Sequence, residues 1–69
     1  MENNFKQIRL NLGLSRKDLA KALGVTYGAI SNYEYGTRKP ALSICYRIID
    51  LAKHRKLKVK LEDIYPRFE

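Results

Sequence analysis

Three glycines constrain this chain more than any other feature. Gly13, Gly24 and Gly36 each close a short stretch whose apolar residues recur at helical spacing, and Pro40 follows the third. Glycine is favoured just past a helix end because it enters the left-handed conformation without a side-chain penalty. A chain cut up in this way cannot supply the ~20 consecutive apolar residues of a membrane span, nor a long amphipathic surface helix. It can supply several short helices.

The helices can be placed from caps and periodicity. The first runs about Asn4 to Leu12, with Phe5, Ile8 and Leu12 on one face and Lys6, Arg9 and Asn11 pointing elsewhere. The second starts after Ser15, an N-cap with Asp18 three residues on, and its buried stripe is Leu19, Ala20 and Leu23. Thr26 caps a third helix, Tyr27 to Tyr35, with Ile30 and Tyr33 facing inward. After the basic turn Thr37-Arg38-Lys39-Pro40, a fourth helix spans about Ala41 to His54, and Leu42, Cys45, Ile48, Ile49 and Ala52 form a wide apolar face. From Lys53 to Lys60 the chain carries five Lys and Arg residues. There Leu57, Val59 and Leu61 alternate with lysines, a strand-like pattern able to pair across a dimer as an edge strand. Leu61 to Tyr65 reads as a last helical turn, closed by Pro66. The expected fold is all-α, a compact bundle of four or five helices in a single domain covering residues 1–69.

Composition narrows the function. Fourteen Lys and Arg against seven Asp and Glu give a net charge of +7 on 69 residues. Such a balance favours a polyanion, either nucleic acid or an anionic membrane surface. Cys45 is the one cysteine and His54 the one histidine. Together they make neither a disulfide, nor a zinc site, nor a Cys/His dyad. Cys45 lies on an apolar stripe and reads as a small buried hydrophobe. No nucleophile–base pair or phosphate-cradling glycine loop is visible, so no enzyme, metal, cofactor or small-molecule substrate is expected. Met1 to Phe5 lack the pattern of a signal peptide, which makes the cytoplasm the expected location.

The second and third helices carry the functional signal. Ala20 sits where two helices would touch, Gly24 lies in the turn between them, and Ile30 anchors the later helix in the core. Small residue, glycine and aliphatic anchor at these offsets, with Thr26 as cap, are the pattern of a helix-turn-helix. The run from Gly24 to Pro40, approached by Ile8-Arg9, Gly13-Leu14-Ser15 and Leu19-Ala20 and closed by Leu61-Glu62-Asp63-Ile64, resembles the Cro/cI-type helix-turn-helix family, also called the XRE family. The resemblance covers nearly the whole chain and is best from residue 8 to 52. It implies a lambda repressor-like DNA-binding domain, in a family composed mostly of repressors and activators that bind operators as dimers.

In such a motif the second helix enters the major groove. Its outward face would be Tyr27, Gly28, Ser31, Asn32 and Tyr35. The matching family positions mark Tyr27, Gly28, Ser31 and Asn32 as base-facing. The Asn32 amide suits the N6/N7 edge of adenine, and Ser31 can donate or accept. Gly28 departs from the family pattern, since many relatives carry a contacting side chain there. By resemblance, Arg16, Thr26, Thr37, Arg38 and Lys39 would hold the phosphates, and Arg9 and Glu34 would form a structural ion pair. The expected partner is double-stranded DNA, bound by a homodimer that uses apolar residues of the C-terminal part: Leu57, Leu61, Ile64, Tyr65 and Phe68. The rival reading is a protein-interaction module, an antitoxin or adaptor that reuses the fold.

Overall fold

The computed structural model describes residues 4–64. Among these the fold is all-helical: α1 Phe5–Asn11, α2 Arg16–Leu23, α3 Tyr27–Tyr35, α4 Leu42–His54 and α5 Leu61–Ile64. The expected starts and stops of α1 to α4 and the start of α5 hold to within a residue, and the expected end of α5 at Tyr65 lies outside the described residues. The Ser15 hydroxyl accepts from the Asp18 N–H at 3.0 Å and the Thr26 hydroxyl from the Ala29 N–H at 3.1 Å, so both motif helices carry side-chain N-caps.

The helix stops repeat one geometry. Gly24 and Gly36 stand at φ 71° and 77°. The next residue returns its N–H to a carbonyl five positions back, Val25 to Ala20 and Thr37 to Asn32, both at 3.0 Å. This Schellman closure satisfies the last carbonyls of each helix. α4 ends in the same closure, with Leu57 N–H on the Ala52 carbonyl at 2.8 Å, but here the left-handed residue is Lys56, at φ 59°.

The core gathers residues from every helix: Phe5, Ile8 and Leu12; Leu19, Ala20 and Leu23; Ile30 and Tyr33; Cys45, Ile48 and Ala52; and Ile64. α2 packs on α3 and α4, α1 on α3, and α5 closes on α4. The Phe5 and Tyr33 rings meet tilted, centroids 5.3 Å apart. Burial pushes the Cys45 thiol up, and its Sγ lies 3.9 Å from the Pro40 carbonyl, so this cysteine packs as a hydrophobe. No helix among the described residues is long and apolar enough to cross a membrane.

Three expectations need correction. Residues 57–60 form no strand; Leu57, Val59 and Leu61 are half-buried because they pack against the chain's own core. Ile64, expected on an exposed dimer face, is fully buried where α5 seals the bundle, while Tyr65 and Phe68 lie outside the described residues. Leu42 is exposed: Cys45, Ile48 and Ala52 centre the buried face of α4, and at ~100° per residue Leu42 falls about a quarter-turn away.

Candidate nucleic-acid interface

The site is built on α2 and α3, which meet at Gly24. Ile30 and Tyr33 bury the inner face of α3. By helical spacing this leaves Tyr27, Gly28, Ser31, Asn32 and Tyr35 on the other side. Tyr27, Gly28 and Tyr35 are exposed, whereas Ser31 and Asn32 are half-buried.

Glu34 anchors this arrangement from below. Its carboxylate accepts from Arg9 Nε at 2.6 Å and from Arg16 Nε at 3.1 Å, and its side chain is only 2% exposed. Arg9 Nη1 also donates to the Leu14 carbonyl at 3.0 Å. One carboxylate therefore ties α1, α2 and α3 together through charge-assisted hydrogen bonds. The Arg9–Glu34 pair matches the sequence reading; the second bond, from Arg16, does not appear in it. The Arg16 guanidinium also lies 5.8 Å from the Tyr35 ring centroid. Hydrogen bonding to the Tyr27 side chain first, then to Glu34, holds Arg16 more firmly protonated than a free arginine. Arg16 thus joins the exposed Tyr35 ring to the buried anchor of α3.

Asn32 is held from the other end of α3. The Thr37 hydroxyl shares its one hydrogen between Asn32 Oδ1 at 3.1 Å and the Asn32 carbonyl at 3.2 Å, and that carbonyl also accepts from the Thr37 N–H at 3.0 Å and the Arg38 N–H at 3.3 Å. The contact with Thr37 uses one lone pair of Oδ1. The second lone pair and the two Nδ2 hydrogens keep the donor–acceptor pair that an adenine edge requires. Thr37 therefore positions Asn32. Arg38 and Lys39 are exposed on the same turn, which buried Pro40 pins to the core.

Two arginines outside the motif complete its support. Arg47 of α4 donates through Nη1 to the Leu23 carbonyl at 2.8 Å, at the end of α2, and Arg55 donates to the Leu12 carbonyl at 2.8 Å, at the end of α1. Each serves a carbonyl that its own helix leaves without a partner. Local sequence patterns cannot reveal these bonds, because donor and acceptor are 24 and 43 positions apart.

Gly28 has room for a side chain: a Cβ there would meet nothing nearer than the Thr26 hydroxyl, at 3.9 Å. Packing does not demand glycine, and its helix propensity is about 1 kcal/mol worse than alanine's. Gly28→Ala should therefore raise Tm by roughly 4–8 °C in thermal unfolding. An unchanged or lower Tm would show that the protein itself needs glycine here.

Residues 5–53 match the family model described as helix-turn-helix. A protein of Methanocaldococcus jannaschii named an uncharacterized HTH-type transcriptional regulator is 35% identical over 65 residues, covering 94% of this chain and 91% of the relative.

Proposed function

This chain belongs to the helix-turn-helix family of the Cro/C1 (XRE) type, and from that membership we propose that it is a transcriptional regulator that reads operator DNA by laying α3 in the major groove. The reading spans residues 1–69 as one DNA-binding domain, acting in the cytoplasm as a homodimer. The observation that carries it is the outer face of α3. Tyr27, Gly28, Ser31 and Asn32 lie there together, with the Asn32 amide oriented by Thr37 and the helix held from behind by Glu34.

In this reading Tyr27, Gly28, Ser31 and Asn32 face the bases. Arg16, Thr26, Thr37, Arg38 and Lys39 grip the phosphates at the two ends of α3, setting affinity and register but not sequence. Thr37 does double duty, since it also braces the base-facing Asn32, and Arg16 is held in place by Glu34. Binding excludes or recruits polymerase without any chemical step. Two subunits related by a twofold axis would place half-sites about one helical turn, ~34 Å, apart.

Selection of bound duplexes from a random library tests this. An inverted repeat is the expected product; a pool with no recovered motif overturns sequence-specific binding. On the selected site, Asn32→Ala should cost about 1–3 kcal/mol and relax preference at one base position, while Lys39→Ala should weaken all duplexes alike and flatten the salt slope by about one unit. Exchange of these two phenotypes would reverse the assignments.

The exposed aromatic rings of Tyr27 and Tyr35 favour a second reading, a protein-binding face, because tyrosine is enriched at protein hot spots. Salt separates the two. Six to eight phosphate contacts across a dimer give a slope of log K against log salt of roughly −5 to −7, whereas a flat slope supports the protein partner.

A further inference from the structure

At the C-terminal end of α3 one side-chain hydroxyl stands between a backbone carbonyl and the amide proposed to read a base. Thr37 Oγ1 lies 3.2 Å from the Asn32 carbonyl and 3.1 Å from Asn32 Oδ1. The carbonyl is crowded. It has two lone pairs, and the N–H groups of Gly36, Thr37 and Arg38 all converge on it. Oδ1 accepts nothing else among the described residues, so it takes the larger share of the hydroxyl hydrogen. Turning the amide over would set Nδ2 against Oγ1 and leave that hydrogen to the crowded carbonyl alone. The hydroxyl therefore selects one of the two amide orientations.

The selected orientation matters because the two purines differ at one atom of the edge an amide reads. Adenine presents the N7 acceptor and the N6 donor, whereas guanine presents two acceptors, N7 and O6. A tethered Asn32 offers one acceptor and one donor side by side. It fits adenine, and against guanine it sets Oδ1 on O6, oxygen facing oxygen. An untethered amide can turn both Nδ2 hydrogens toward N7 and O6 and so tolerates guanine. We infer that Thr37 is a positioning residue that sets base specificity through Asn32: its hydroxyl makes the amide accept adenine and reject guanine. The inference rests on the reading of α3 as the base-contacting helix. Thr37 is exposed and Asn32 half-buried, so water competes for the hydroxyl in the free protein. Docking in the groove displaces that water, and the bond strengthens as the local dielectric falls.

The test uses the full chain and two duplexes: the selected site, and the same site with guanine in place of adenine at the position whose preference Asn32→Ala relaxes. Thr37→Val keeps the shape of the side chain and removes the hydroxyl. It should lower the preference for adenine over guanine by about 3–10-fold, the worth of one hydrogen bond, and leave preference at the other positions unchanged. Thr37→Ser restores a hydroxyl and should recover the parent's preference. In the free protein, nitrogen relaxation of the Asn32 side-chain amide should show more picosecond-to-nanosecond motion in Thr37→Val than in the parent or Thr37→Ser. Uniform weakening of all duplexes by Thr37→Val, with base preference intact, gives the hydroxyl to a phosphate or to the helix end and overturns the proposal. So do an equally mobile amide in all three proteins, and selection of a base other than adenine at the Asn32 position. Failure of Asn32→Ala to relax any position refutes the α3 reading itself, and the inference with it, before a Thr37 variant is made.

Discussion

Glu34→Ala is expected to lower stability by about 3–5 kcal/mol, the range for removing one partner of a buried ion pair. The loss comes less from the missing attraction than from what remains. The Arg9 side chain, 10% exposed, would keep its charge with its carboxylate partner gone, and Arg16 would lose the same anchor. A domain of this size holds only about 3–10 kcal/mol in total, so the variant should be largely unfolded well below the parent's Tm. Urea unfolding followed by circular dichroism measures this directly. Glu34→Gln keeps an acceptor for Arg9 and should cost less. The double change Arg9→Met with Glu34→Leu removes charge from both sides of that contact and should recover stability relative to Glu34→Ala. A loss under 1 kcal/mol for Glu34→Ala would mean that water replaces the carboxylate and that the three helices are not held through it.

Ile30→Ala should be nearly as damaging, at about 2–5 kcal/mol. Ile30 is fully buried on the inner face of α3, where Leu19, Leu23 and Ile48 are also within the core. Truncation removes apolar contact and leaves a cavity that a small bundle can only partly close. Ile30→Val, which deletes a single methylene, should cost about 0.5–1.5 kcal/mol. The graded pair distinguishes core packing from a general intolerance of change at this position. Equal losses from the two variants would place the requirement at the Cδ1 end of the side chain, which both remove, rather than in the buried volume as a whole. Ile30 touches no base in the proposed complex. Any loss of DNA affinity in Ile30→Val should therefore track the folded fraction and leave base preference unchanged.

The exposed outer face of α3 and its buried anchor depend on residues of different visibility in the sequence. Thr26, Tyr27, Ile30 and Gly36 were legible because their signals are local: a cap, a helical period and a left-handed stop each act within a few residues. For Arg16 and Thr37 the sequence offers only the expectation of a phosphate contact, drawn from resemblance. Their contacts with Glu34, Tyr35 and Asn32 depend on how separate helices and turns come together. The apolar alternation at Leu57, Val59 and Leu61 looked like a strand. The pattern says which side chains seek burial but not what buries them, and here the bundle itself covers that face.

What the sequence determined by itself is the set of short helices, their caps and stops, and the pairing of α2 with α3 around Ala20, Gly24 and Ile30, because these follow from backbone preference and short-range periodicity. What only the tertiary structure decided is the set of long-range polar bonds, Arg16 to Glu34, Arg47 to Leu23 and Arg55 to Leu12, and the burial of Ile64. A charged side chain several angstroms long can meet many partners, and the one it finds depends on where packing brings distant segments to rest.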